Sequence, residues 1–197
     1  MLKQVELANM FRDSGAFLTG HFLLTSGLHS PHYFQCAKVL QYPSYSGLLG
    51  RDIASNFSEE NIDAVVSPAV GGIVIGQEAG RALDKRAVFS ERSDDGMVLK
   101  RGFSIEPGEK VIIVEDVLTT GRSIKEVIAM LEKTGCDIRG VGVIVDRSGG
   151  RAEFDYPLFS LFKMEVITHQ PDECPICREG KIMLEKPGSR KVTGGER

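Results

Sequence analysis

Two adjacent carboxylates and a run of hydroxyl-bearing residues stand together in VIIVEDVLTTGRS, residues 111 to 123. Val111 to Val114 form an apolar strand, and Glu115 and Asp116 follow at its C-terminal end, where open α/β sheets bind their ligands. Val117 and Leu118 then lead to Thr119, Thr120, Gly121, Arg122 and Ser123, which open the helix SIKEVIAMLEK. A helix start leaves backbone N–H groups unpaired and carries the positive end of the dipole, so this segment is a cradle for a phosphate monoester. Carboxylates touching the same phosphate would repel it. They fit a sugar phosphate instead, with the phosphate on the loop and Glu115 and Asp116 accepting hydrogen bonds from ribose hydroxyls. No Gly-Lys-Ser/Thr occurs anywhere, so this is not a nucleoside triphosphate P-loop.

A second chemistry is hinted at near the C-terminus. Cys174 and Cys177, in CPIC, have the spacing of half a zinc site, but a structural site needs four ligands. No second CxxC exists, and His169 adds only a third candidate. The expectation is therefore that no metal is held directly by protein side chains. His21, His29 and His32 read as hydrogen-bonded surface or core histidines, and the four cysteines, with Cys36 and Cys136, as free thiols of a reducing compartment.

The elements that must position these groups follow from periodicity. Residues 5 to 13 and 44 to 57 carry apolar side chains at helical spacing, and between them GHFLLTSGLHSPHYFQC reads as short strands joined by turns. Then the period changes regularly: strand in DAVVSPAVGG (63 to 72), helix in GGIVIGQEAGRAL, strand in RAVFSER (86 to 92), strand–loop–helix in EKVIIVEDVLTTGRSIKEVIAMLEKTG, and strand in DIRGVGVIVDR (137 to 147). Strands apolar on both faces that alternate with helices predict an α/β fold with a doubly wound, mostly parallel sheet. SERSDDGMVLKRGFSIEPGEK, polar and glycine-bearing, reads as a mobile loop with a short hairpin. Residues 171 to 197 lose apolar periodicity and gain Pro, Gly and Lys, and read as a partly disordered tail.

At 197 residues the chain suits one compact domain, here 1 to 170, with that tail as appendage. Its 24 Lys+Arg against 27 Asp+Glu give a net charge of −3, which offers no general attraction to a polyanion, so no nucleic-acid partner is expected. The apolar runs are far too short to span a bilayer, and the N-terminus has no secretory h-region, so no membrane partner and a cytoplasmic address are expected.

VIIVEDVLTTGRS resembles the 5-phosphoribosyl-1-diphosphate (PRPP) motif of type I phosphoribosyltransferases. LLTSGLHSPHYFQC (23 to 36), SPAVGGIVIGQEAGRAL (67 to 83), FSER (89 to 92), MVLKRGFSIEPGEK (97 to 110) and VGVIVDRSGG (141 to 150) extend the likeness to the orotate phosphoribosyltransferases among them. The resemblance implies a transferase that joins PRPP to orotate with Mg²⁺. Glu115 to Ser123 would bind PRPP. Ser67, Ala69, Gly71 and Gly72 would form the diphosphate loop, and Thr119 and Arg147 would contact orotate. Residues 1 to 40 would be a hood over the base, to which His32 is a candidate contact. It further implies a homodimer in which a catalytic loop reaches the partner's site.

Two departures stand out: Thr25 replaces the lysine common before the SG of the N-terminal segment, and ERSDDGMVLKRG lacks the histidine common in the catalytic loop. The loop cations are then Arg92, Lys100 and Arg101, acting with Asp116. A purine phosphoribosyltransferase and a non-catalytic PRPP-sensing regulator of the same fold remain as alternatives. The first has no use for a carboxylate-binding Arg147.

Overall fold

A computed structural model describes residues 2–24, 26–94 and 96–187; Thr25 and the tail beyond 187 lie outside the described residues. Helix α1 (Gln4–Asp13) leads to a hairpin of β1 (Phe17–Leu23) and β2 (His29–Phe34), then to α2 (Cys36–Leu40) and α3 (Pro43–Ser55). The alternating part follows as β3 (Ala64–Pro68), α4 (Gly72–Leu83), β4 (Arg86–Ser93), β5 (Gly96–Leu99), β6 (Lys110–Leu118), α5 (Arg122–Glu132), β7 (Asp137–Asp146) and β8 (Leu158–Lys163). A short α6 (Pro175–Glu179) closes the series.

The main sheet has the order β5-β4-β3-β6-β7-β8, and β1-β2 form a separate two-stranded sheet. All main-sheet pairings are parallel except β4 with β5, which are antiparallel. Period-2 alternation in the central strands divides the core. Val65, Ile112 and Val114 face Leu49, Ile53 and Ile75 of α3 and α4, while Ala64, Val66, Val111 and Ile113 face Ile124, Val127 and Leu131 of α5. Both faces are thus covered by helices, as a doubly wound sheet requires.

The chain runs from β3 outward to β4 and β5, then crosses back to β6 and proceeds the other way, so the switch in direction falls between β3 and β6. These two strands pair only from Ala64↔Val111 to Val66↔Ile113. Beyond that, β3 stays with β4 as far as Pro68↔Ser90, and β6 stays with β7 as far as Leu118↔Asp146. The sheet therefore parts at its carboxyl edge, which opens a crevice where ligands of such sheets bind.

Three features differ from the sequence reading. The 92 to 101 segment, expected as a mobile loop, includes the end of β4 and all of β5, an antiparallel edge hairpin. Strand β8 was not foreseen; its partner β7 is the only strand it pairs with, and both its ends are short of a clear apolar alternation. The start of the tail is not free: Glu185 and His169 exchange backbone hydrogen bonds with the hairpin at Leu23, His21 and His29.

Close packing of α4 on β3 is testable. A Cβ at Gly76 would meet Ser67 Oγ at 1.9 Å, and that hydroxyl is itself buried without a hydrogen-bond partner. Gly76→Ala should lower stability by about 1–3 kcal/mol. Ser67→Ala should be near neutral alone and recover part of that loss in the double variant. Urea unfolding of the three variants checks this, and strictly additive effects would place the clash elsewhere.

Candidate active site

The crevice brings together groups from four strand ends. Glu115 and Asp116 lie in the part of β6 that has left β3. Glu115 is buried and Asp116 half-buried. The Glu115 carboxylate accepts a hydrogen bond from Asp116 N–H at 3.1 Å, and Asp116 Oδ1 accepts one from Val117 N–H at 2.8 Å. The carboxylates are thus aimed by their own backbone. Opposite stands Gly71, where a Cβ would sit 2.7 Å from both Asp116 oxygens. Only a glycine lets the loop after β3 approach this closely.

That loop, Ala69 to Gly72, presents mostly backbone, with Ala69 half-buried and Gly71 exposed. Ala69 N–H is bonded to Ser90 O at 2.8 Å, which ties the loop to β4. Ser67 does not join it. Its side chain is 1% exposed and turned under α4 against Gly76, because it lies within the strand rather than past its end. Its expected place in a diphosphate cradle is corrected to that of a wall residue.

The predicted phosphate cradle stands one strand end further on. Val117 is half-buried and Leu118 packs into the core, while Thr119 and Thr120 are exposed. Gly121 caps α5 with φ +76°, a conformation strained for any side chain, and a Cβ there would also lie 3.0 Å from Phe154 Cζ. Thr120 Oγ1 accepts a hydrogen bond from Arg122 N–H at 3.4 Å, and Ser123 lies half-buried in the first turn. Arg122 itself turns away along the helix and pairs with Glu126 at 2.9 Å.

Arg147 follows the end of β7, its N–H bonded to Leu118 O at 2.8 Å. The residue is 8% exposed, and Nε is buried without a hydrogen-bond partner. It makes none of the ion pairs among the described residues. Its guanidinium lies 5.7 Å from the ring centre of Tyr33, which comes from the hairpin. Burial pulls its pKa below the ordinary arginine value, yet a guanidinium stays charged. A buried cation with this little compensation suits an incoming anion. Sequence reasoning missed Tyr33, whose only signal was its place in the SPHYF segment.

Cys36 is also at the crevice, its Sγ 3.6 Å from Asp116 O, to which the thiol donates. Burial first, then Asp116 and Glu115, push its pKa well up, so it is a neutral wall residue.

The three loop cations differ in their commitments. Arg92 pairs with Glu126 of α5 at 2.6 Å and Arg101 with Glu91 at 2.8 Å. The Arg92 hydrogen bond, with that of Arg122, holds the Glu126 carboxyl below the usual range. Lys100 is exposed and has no ion pair among the described residues. Glu126, unremarkable in the sequence, thus anchors two arginines beside the phosphate cradle. No helix among the described residues is long and apolar enough to cross a membrane.

Residues 46–175 match the family described as Phosphoribosyl transferase domain. Over 187 residues the chain is 54% identical to the orotate phosphoribosyltransferase of Chlorobium phaeobacteroides (strain BS1), a match spanning 95% of this chain and 96% of that one. It is 51% identical over 183 residues to the protein of the same name from Caldicellulosiruptor saccharolyticus, spanning 93% and 95%. Among solved structures it is similar to orotate phosphoribosyltransferase from Aeropyrum pernix, with a TM-score of 0.69 and 26% identity over 80% of this chain and 93% of that one. Identity at this level over nearly the full length of both chains answers the question left by the crevice: this chain belongs to the orotate phosphoribosyltransferase family.

Proposed function

We propose that the chain transfers ribose 5-phosphate from PRPP to orotate, giving orotidine 5′-monophosphate and diphosphate. The observation that carries the choice of base is Arg147, a buried guanidinium with an unpartnered Nε at the edge of the crevice. The planar carboxylate of orotate would occupy its fork in a charge-assisted, bidentate manner. A purine would leave that charge buried and unmatched. Thr119, on the neighbouring strand end, would contact the same ligand, and the β1-β2 hairpin with Tyr33 and His32 would lie over the base as a hood.

The donor arrangement supports an ordered PRPP. The N–H groups and hydroxyls from Thr119 to Ser123 would hold the 5′-phosphate, Glu115 and Asp116 would accept from the ribose hydroxyls, and the backbone from Ala69 to Gly72 would lie against the diphosphate. The bond from C1′ to diphosphate breaks, positive charge develops at the ribosyl centre, and the orotate ring nitrogen forms the new bond. Asp116 faces the developing charge; little acid or base catalysis is needed. Positioning and charge stabilisation supply the rate.

Glu115 and Asp116 are hard oxygen donors at the crevice and fit a Mg²⁺ ion held largely through water and ligand oxygens. When bound, Mg²⁺ would offset the charge of the diphosphate. Lys100, the loop cation uncommitted to a carboxylate, is the residue placed to reach the leaving group. Closure of 92 to 101 would exclude water from the site, and in a homodimer the edge hairpin would reach the partner's site.

The test of this reading is product formation from PRPP, Mg²⁺ and a panel of bases. Arg147→Ala should raise the KM for orotate about 10- to 100-fold, from the loss of roughly 1.5–3 kcal/mol in a charge-assisted contact, with the KM for PRPP changed far less. Use of uracil as readily as orotate by the unaltered protein would overturn the assignment. For the loop, Lys100→Ala should lower kcat more than Arg92→Ala or Arg101→Ala. Exchanging subunits between Lys100→Ala and Asp116→Asn chains should restore activity, since one site per mixed dimer is then intact. Mixed dimers, verified by mass, that stay inactive would show that the loop does not act across subunits.

A further inference from the structure

The half zinc site of CPIC finds its other half in the hairpin at the opposite end of the chain. His21 of β1, His29 of β2, and Cys174 and Cys177 around α6 each direct one ligand atom to a common point, and these four atoms all lie within 4.8 Å of one another. His21 Nε2 is 3.0 Å from His29 Nδ1. Cys174 Sγ is 3.5 Å from His21 Nε2, and Cys177 Sγ is 3.6 Å from His21 Nε2 and 3.3 Å from His29 Nδ1. A tetrahedral zinc with ordinary Zn–N and Zn–S bonds separates its ligand atoms by about 3.3 Å for N to N, 3.6 Å for N to S and 3.8 Å for S to S. The cluster already has nearly those edges.

We infer that His21, His29, Cys174 and Cys177 bind one structural Zn²⁺, which clasps the C-terminal segment to the hood. His169, the third ligand considered from sequence, is not in the cluster; its backbone instead pairs with that of His29. The expectation of no directly ligated metal is replaced accordingly, because it weighed only ligands near in sequence.

The surroundings agree with this role. His21 is 3% exposed, His29 5% and Cys174 0%, so the donors are shielded, with Cys177 alone at the surface. His21 Nδ1 is 3.2 Å from Ile182 O. A proton on Nδ1 donates to that carbonyl and leaves the Nε2 lone pair facing the cluster, the arrangement by which backbone carbonyls orient metal-binding imidazoles. Two sulfur and two imidazole donors select zinc rather than the oxygen-seeking Mg²⁺ of the crevice. Four protein ligands fill a tetrahedron and leave no open position for substrate, so the ion is structural. It would reinforce the backbone bonds that Glu185 makes with Leu23 and His21.

Elemental analysis of the untagged full-length chain, purified without chelator and also after reconstitution with Zn²⁺, should find one zinc per chain. Cys174→Ser and Cys177→Ser should each lose it, and both should melt at lower temperature than the parent. Because Cys177 is exposed, its variant keeps the test alive should Cys174→Ser fail to fold. Co²⁺ in place of zinc should give the intense visible bands of a tetrahedral site and a thiolate-to-cobalt charge transfer, both lost in either variant. Absence of zinc after reconstitution, zinc content unchanged in both variants, or a Cys174–Cys177 disulfide by mass in the reductant-free protein would each overturn the inference.

Discussion

Parallel pairing between β3 and β6 is the constraint on which the site depends. The two strands share hydrogen bonds for only a few residues and then follow different neighbours. Every backbone group at the division must still find a partner. β3 finds its partners on β4, and β6 on β7. The crevice is thus a by-product of complete pairing on both sides, and it costs no unsatisfied strand. Glu115 and Asp116 extend into it because β6 continues past the point where β3 leaves, and Gly71 can stand against Asp116 because it brings no side chain.

Charge is distributed around this opening in an ordered way. Carboxylates line the β6 edge, Arg147 is sunk beyond β7, and Arg92 and Arg122 are both drawn to Glu126 on the first turns of α5. The anionic ligands of a phosphoribosyl transfer would meet backbone amides and a few cations rather than a general positive field, in keeping with the chain's slightly negative total. Glu126 acts as a local counterweight: it keeps two arginines near the phosphate loop without leaving either of them unpaired.

Much of this was legible in the sequence, and the reason is locality. The apolar runs of β3, β6 and β7 and the TTG start of α5 are short-range patterns whose period names the element, and open α/β sheets place ligands at strand ends as a rule. The side-chain direction of Ser67 was not legible, because a one-residue difference in where the strand ends decides which face it takes. Nor was the meeting of His21 with Cys174, which lie 153 positions apart, since spacing within a motif says nothing about a ligand pair brought by another element. The hood and tail were read as separate appendages for the same reason: each lacks a core of its own, and only their mutual contact defines them.

That contact orders the assembly of the molecule in time. A lone two-stranded hairpin is at best marginal in water, and β1-β2 belongs to no larger sheet. Its lasting partners at Leu23 and His29 are Glu185 and His169. During synthesis the N-terminal segment emerges first, but its firm supports are among the last residues to leave the ribosome. The central sheet, built from strands near one another in sequence, closes before the hood does, and the long sequence separation makes hood closure the slower event. The substrate cover is therefore finished only when the chain itself is finished, so that a nascent or shortened chain holds its phosphate loop while its lid is still unfastened.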